Sequence, residues 1–173
     1  MTYKGAPLQS DRQDWGTPPA FMEWLQTDFF FEPTLDAAAS ESNTKAPMFF
    51  DGSPDCDGLV NPWEGDVWLN PPFGHELPLW LEKCGQEIKR DEVNQILVLI
   101  PARTDTKWFH EIVMRDAYLV YLIKGRFNFV HGDSCEGANA PFPSMLVKYR
   151  KHNLPDCGIT VLEVPPEARG FGS

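Results

Sequence analysis

Ile96-Leu97-Val98-Leu99-Ile100-Pro101 is the stretch on which the fold turns. Five consecutive apolar residues show none of the alternation of a strand with one wet face. The run therefore reads as a strand buried on both sides, ended by Pro101. Such a strand needs helices over both faces of a mainly parallel sheet. Outward toward the N-terminus, Glu76–Lys89 has helical periodicity. It follows a strand, Val67-Trp68-Leu69, cut off by Asn70-Pro71-Pro72. Asp51–Glu64 is rich in Gly, Pro and Asp and reads as loop. Before it lie two short apolar runs, Pro33-Thr34-Leu35-Asp36 and Pro47-Met48-Phe49-Phe50. Thr17-Pro18-Pro19 opens a helix, with a hydroxyl cap and Pro in the first turn.

Outward toward the C-terminus, Asp105–Arg115 reads as helix and Tyr118–Ile123 as strand. Gly125–Val130 reads as a further strand in a hairpin with its neighbour, and Ser144–Tyr149 as the last well-marked one. The expected architecture is a compact α/β fold, a mainly parallel sheet with an antiparallel C-terminal part. Residues 1–13 are expected to be a flexible N-terminal segment and 14–152 the main domain. Residues 153–173 are a Pro- and Gly-containing tail able to add one strand at Ile159–Val164.

The composition sets bounds. With 173 residues, 42% of them hydrophobic, the chain suits one domain with its own core. No apolar run approaches the ~20 residues of a membrane span. The polar start, Met1-Thr2-Tyr3-Lys4-Gly5, lacks the apolar region of a secretory signal, so the protein is expected in the cytoplasm. Cys56, Cys84, Cys135 and Cys157 form no C-x-x-C pair and read as free thiols. His75, His110, His131 and His152 lack ligand-like spacing, so no metal is expected. A net charge of −10 argues against a protein that simply coats nucleic acid. The charge is uneven, however. Residues 1–95 hold 6 Lys and Arg against 17 Asp and Glu, whereas residues 96–152 hold 8 against 5. A polyanion would meet the second stretch, although ordinary surface variation explains the same pattern.

In α/β sheets ligands bind outside the carboxyl ends of the strands. The loops after Asp36, Phe50, Leu69 and Ile100 should line that edge. The most telling is Asn70-Pro71-Pro72-Phe73-Gly74. Neither proline has an N–H, so strand pairing stops and two fixed φ angles make a stiff turn. The Asn70 carboxamide oxygen and the Pro71 carbonyl then offer two acceptors to an amine's two N–H donors. Such contacts localise the nitrogen lone pair and stabilise the positive charge that grows as a methyl group arrives. Phe73 can stack on a flat base. An exocyclic amine is buried in duplex DNA, so its base must be flipped out first. Read alone, the same residues also describe a plain turn with two prolines.

Two further segments carry candidate roles. In Asp14-Trp15-Gly16-Thr17-Pro18-Pro19, a hydroxyl and free N–H groups at a helix start suit a carboxylate, or simply cap the helix. In Leu35-Asp36-Ala37-Ala38-Ala39, a carboxylate at a strand end faces small residues and suits an ammonium group. A strand–loop junction capped by Asp reads equally well.

Taken in order, D-W-G-T-P-P, L-D-A-A-A-S, D-G-L, V-W-L-N-P-P-F-G, P-A-R-T-D-T-K-W-F, K-G-R-F-N-F and A-P-F-P-S resemble the phage-type Dam family of DNA N6-adenine methyltransferases over about residues 14–150. The resemblance implies the Rossmann-like fold of S-adenosylmethionine-dependent methyltransferases. It implies site-specific transfer of a methyl group from S-adenosylmethionine to adenine in DNA, in a bacterial host cell, with no obligate protein partner. Trp15, Thr17, Pro18, Asp36 and Asn70 would bind the cofactor, Asp51 its ribose and Asp57 its adenine amine. Asn70, Pro71, Pro72 and Phe73 would form the catalytic turn. Phe73, Arg103, Arg126, Phe129 and Ser144 would meet the DNA. Arg126 suits a surface salt bridge as well, and Phe129 suits the core better than a base. Ala and Ser stand where many methyltransferases have a Gly-rich loop, and Phe73 stands for the commoner Tyr. No separate target-recognition domain is visible, which leaves Gly125–Ser144 to read sequence. Rival readings are methylation of an amine in RNA or of a protein glutamine, or a non-catalytic nucleic-acid-binding protein that keeps the fold.

Overall fold

The computed structural model describes residues 15–131 and 134–172. The expected flexible segment, 1–13, lies outside the described residues. Strands β1 (Trp15–Gly16), β2 (Leu35–Asp36), β3 (Met48–Phe49), β4 (Gly65–Leu69), β5 (Val93–Pro101), β6 (Leu119–Ile123), β7 (Asn128–His131), β8 (Ser134–Asn139), β9 (Ser144–Arg150) and β10 (Gly158–Leu162) accompany helices α1 (Pro19–Thr27), α2 (Leu77–Glu87) and α3 (Met114–Asp116). Seven strands form one sheet in the order β10-β6-β9-β5-β4-β2-β3. β2, β3, β4 and β5 run parallel, β9 is antiparallel to both β5 and β6, and β10 runs parallel to β6. A three-stranded antiparallel sheet, β1-β7-β8, lies apart from it in pairing.

β5 organises the core as its sequence requires. Ile96, Val98 and Ile100 pack with Leu77, Leu81 and Cys84 of α2. Leu97 and Leu99 point the other way and pack with Phe21 and Leu25 of α1. Each such side chain contributes roughly 1.5–3 kcal/mol on burial. α2 lies between two parallel neighbours, β4 and β5, and this crossover brings the carboxyl ends of β2, β4 and β5 to one edge.

Several expectations need correction. α1 starts at Pro19 with Pro18 as its N-cap and no side-chain cap bond, so the Thr17 hydroxyl does not cap it. Two prolines at this start also remove N–H groups, and Phe21 N–H already donates to the Pro18 carbonyl. The site is a poorer carboxylate cradle than a plain helix N-terminus. The helix expected over Asp105–Arg115 carries a π-helical turn at Phe109–Val113. β7 pairs with β8 on one side and β1 on the other, not with β6. The tail's β10 extends the main sheet, and beyond it Arg169 donates from Nη1 to the Arg126 carbonyl at 2.7 Å. The tail thus braces the β6–β7 connection. Cys56, Cys84 and Cys157 are free thiols; the side chain of Cys135 lies outside the described residues. Among the described residues no helix is long and apolar enough to cross a membrane.

The long loop before β4 is tied to α2 by one carboxylate. Glu87 accepts from Trp63 N–H at 2.8 Å and pairs with Lys83 at 2.8 Å and Arg90 at 2.7 Å. Trp63, fully buried, donates from Nε1 to the Gly58 carbonyl at 2.8 Å. Removing one member of a buried ionic network costs about 3 kcal/mol. Glu87→Ala should lower stability by that order in urea denaturation. A loss under about 0.5 kcal/mol, the usual size for surface substitutions, would show that the network does not hold the loop.

Candidate active site

The carboxyl ends of β2, β3 and β4 open onto a cavity of about 470 Å³. That volume falls within the ~300–1,000 Å³ typical of small-molecule sites. Trp15, Thr17, Asp36, Asp51, Asp57, Asn70 and Pro72 border it. Pro18, Pro71, Phe73, Arg103, Arg126, Phe129 and Ser144 do not, so the residues expected to meet cofactor mostly converge and those expected to meet DNA lie beyond the cavity wall. The loop after β5 is likewise not part of the wall.

Asp36 ends β2 with its carboxylate inside the protein. It accepts from Lys45 N–H at 2.9 Å and Ala38 N–H at 3.4 Å. Burial raises its pKa to about 6, against the lowering pull of those two N–H groups and of the Lys45 charge. Among the described residues no cationic side chain forms an ion pair with it. A buried carboxylate in this state favours a cationic ligand. Asp51 Oδ1 accepts from Ser53 N–H at 2.9 Å, and bonds from Ser53 hold its carboxyl below the usual range. Asp57 Oδ1 accepts from Leu59 N–H at 2.8 Å. The small-residue loop Ala37-Ala38-Ala39 lines the cavity without glycine. The close approach is made from the other side, at Gly58, where a Cβ would sit 2.0 Å from the Ala37 carbonyl oxygen.

Asn70 follows β4, whose pairing with β2 and β5 runs through Trp68 and Leu69. Its amide nitrogen donates to the Trp15 carbonyl oxygen and to Thr17 Oγ1, the latter at 3.1 Å. A carbonyl oxygen only accepts, so this contact fixes which end of the carboxamide faces it. Asn70 Oδ1 is closed off from solvent and accepts no hydrogen bond from the described residues. An unmet buried acceptor costs roughly 1–3 kcal/mol, so its survival in a folded protein calls for a reason.

Aromatic rings surround this turn. Phe73 meets Phe142 edge to face at 5.6 Å and Phe129 at 6.3 Å. Trp15 meets Phe129 at 5.6 Å and Phe142 at 5.5 Å. Phe129 is fully buried here and acts as packing behind Phe73. Ser144 is buried at the start of β9, opposite Pro101, and its hydroxyl has no partner among the described residues. Arg126 is exposed. Arg103 is half-buried in a loop closed by Thr106 Oγ1, which donates to the Arg103 carbonyl at 2.7 Å.

Sequence reasoning missed other cavity residues: Lys45, Phe50, Glu76 and Trp80. Trp80 belongs to the apolar face of α2, and nothing in that periodicity separates a cavity wall from ordinary core. Asp36, Asp51, Asp57 and Glu76 against Lys45 make the wall acidic, in keeping with the acidic first half of the chain.

Residues 5–168 match the family described as DNA N-6-adenine-methyltransferase (Dam). The chain is 28% identical over 151 residues to the DNA N-6-adenine-methyltransferase of Haemophilus phage HP1 (strain HP1c1), covering 86% of this chain and 85% of that protein. It is 31% identical over 124 residues to the protein of the same name from Escherichia phage T1, covering 69% of this chain and 49% of that protein. The chain with the acceptor-bearing Asn-Pro-Pro turn beside an acidic cavity belongs to the Dam family of DNA N-6-adenine-methyltransferases.

Proposed function

We propose that this protein transfers a methyl group from S-adenosylmethionine to the exocyclic amine of adenine in DNA. The observation that carries this reading is the Asn70 carboxamide, in a residue that borders the cavity, held by its NH2 with Oδ1 left without a partner among the described residues. Both amide hydrogens are used within the protein, so Asn70 meets a ligand only as an acceptor. An adenine amine supplies the matching donors.

The cavity fits the cofactor on charge and size. S-adenosylmethionine carries a sulfonium and an ammonium against one carboxylate, and the wall is acidic. Asp36 takes the ammonium, Asp51 the ribose hydroxyls and Asp57 the adenine amine. Trp15 and Thr17 border the same space, and Pro18 caps α1 behind them. When bound, the cofactor supplies an electrophilic methyl group on sulfur. Asn70 Oδ1 and the Pro71 carbonyl accept the target amine's two hydrogens and keep its lone pair on nitrogen as the new bond forms. Neither acceptor is basic enough to keep the proton that nitrogen then releases, so it leaves to water. Phe73 stacks on the base. Oδ1 is covered in this state, so the side chains around it shift when a base enters. The substrate is duplex DNA with the target base flipped out. Arg103 and Arg126 contact it, Phe129 supports Phe73, and Ser144, buried at the start of β9, reaches it only if the side chains above it shift. The catalytic unit is 14–152 in the Rossmann-like methyltransferase fold, with 153–173 supplying an added edge strand.

A transfer assay with tritium-labelled cofactor on DNA, RNA and protein tests this. Label should enter DNA and be recovered as N6-methyladenine. Label confined to RNA or protein would replace the reading with that substrate, and no cofactor binding at millimolar concentration would leave only a binding protein with this fold.

A further inference from the structure

We infer that Thr17 is a positioning residue for Asn70: its hydroxyl oxygen, together with the Trp15 carbonyl, holds the carboxamide so that Oδ1 is the atom left for the target amine. This rests on the role given to Asn70 above. The hydroxyl has been released from helix capping, since α1 is capped without a side-chain bond. It is 1% exposed and receives Asn70 Nδ2 at 3.1 Å. The Trp15 carbonyl takes the second amide hydrogen. If the amide turned over, Oδ1 would face that carbonyl oxygen and the NH2 would face the incoming amine, acceptor against acceptor and donor against donor. The Trp15 carbonyl therefore excludes the turned-over amide, and the Thr17 oxygen, taking the other hydrogen, fixes the plane in which Oδ1 is presented.

The anchors are themselves held. Trp15 and Gly16 form β1, paired with His131 and Val130 of β7. At Gly16 a Cβ would lie 2.9 Å from the Val130 carbonyl oxygen, so only glycine lets β1 lie this close. The N-terminal strand is thus clamped to the hairpin sheet at one side and grips Asn70 at the other.

Thr17→Val keeps the shape and removes the acceptor. It should lower kcat on plasmid DNA by on the order of 10–100-fold, the scale of a misplaced reacting group. Because Thr17 also borders the cofactor cavity, the calorimetric Kd for S-adenosylhomocysteine should move far less than kcat, within about 5-fold, while Thr17→Ser should restore kcat to within about 3-fold, both small beside that loss. In an Asn70→Ala background Thr17→Val should have no further effect on kcat, because it acts through Asn70. A kcat near wild type in Thr17→Val, a cofactor Kd that moves as far as kcat, or additive losses in the double variant would each overturn the inference. Exchange of the Asn70 side-chain NH2 in nitrogen-15-labelled wild-type protein checks it without any Thr17 variant: slow exchange agrees, fast exchange overturns it. An inactive Asn70→Ala with a fully active Thr17→Val removes the anchor alone. A fully active Asn70→Ala removes the reading of Asn70 itself.

Discussion

Asn70→Ala should keep the fold and bind S-adenosylhomocysteine within a few-fold of wild type, yet lose on the order of 10²–10³ in kcat, the usual scale for removing one group that stabilises developing charge. The split follows from where the side chain is engaged. Its NH2 binds Trp15 and Thr17, and its Oδ1 has no partner among the described residues. Truncation leaves two protein acceptors unmet and removes one buried acceptor that was already unmet, so the net loss of stability is about that of one acceptor, roughly 1–3 kcal/mol, which a folded domain tolerates. What disappears is the acceptor that sharpens the amine's lone pair as the methyl group arrives. Single-turnover kinetics on DNA measure this step directly. Turnover within about 3-fold of wild type, far short of that scale, would remove Asn70 from the chemistry.

Asp36→Asn should make the protein more stable at pH 7 and a worse cofactor binder, two opposite effects from one atom change. The carboxyl's pKa is raised to about 6 because the folded state buries it. From about pH 4 to about pH 6 the folded chain keeps a proton that the unfolded chain has released, so stability falls as pH rises through that window and stays low above it. A shift near two units corresponds to roughly 3 kcal/mol. The amide abolishes that penalty and gives up one of two accepted N–H bonds, worth about 1 kcal/mol. A net gain on the order of 1–2 kcal/mol is expected at pH 7. No gain is expected near pH 4, where Asp36 is already neutral in the fold. Cofactor affinity moves the other way. Losing the counter-charge to the ammonium should raise Kd about 10²-fold at pH 7 to 8. Wild-type Kd should rise about tenfold per pH unit below the pKa, while the variant's stays flat. Thermal melts at pH 4 and pH 7 with calorimetry across the same range separate these effects. An unchanged Kd in the variant would take Asp36 out of the cofactor site.

The sequence carried the scaffold because its signals were local. Ile96–Ile100 is apolar at every position, and both faces of β5 are buried. Pro71 and Pro72 stop β4 where the fixed angles demand it. The cavity was readable too, since Asp36, Asp51, Asp57 and Asn70 each follow a strand or sit in a loop whose composition marks it. What escaped depends on long-range contacts. The orientation of Asn70 is set by a backbone carbonyl 55 residues away, and no local pattern encodes that. Thr17 looked like a helix cap because hydroxyl-Pro-Pro before an apolar run has that appearance. Its partner came instead from another strand end. The strand over Gly125–Val130 was legible, but its pairing with the two-residue β1 was not. A tail arginine bracing the β6–β7 connection has no signature either, because Arg169 acts through two backbone carbonyls, those of Arg126 and Val164.

The decisive distance runs from Asn70 Oδ1 to the nitrogen that receives the methyl group. A crystal structure of this protein with S-adenosylhomocysteine and an adenine-containing duplex measures it. An extrahelical adenine is expected, its amine about 2.7–3.2 Å from Asn70 Oδ1 and from the Pro71 carbonyl, with Thr17 still bonded to the amide nitrogen. An adenine amine bound by other groups, with Asn70 Oδ1 turned to a protein donor, would contradict it.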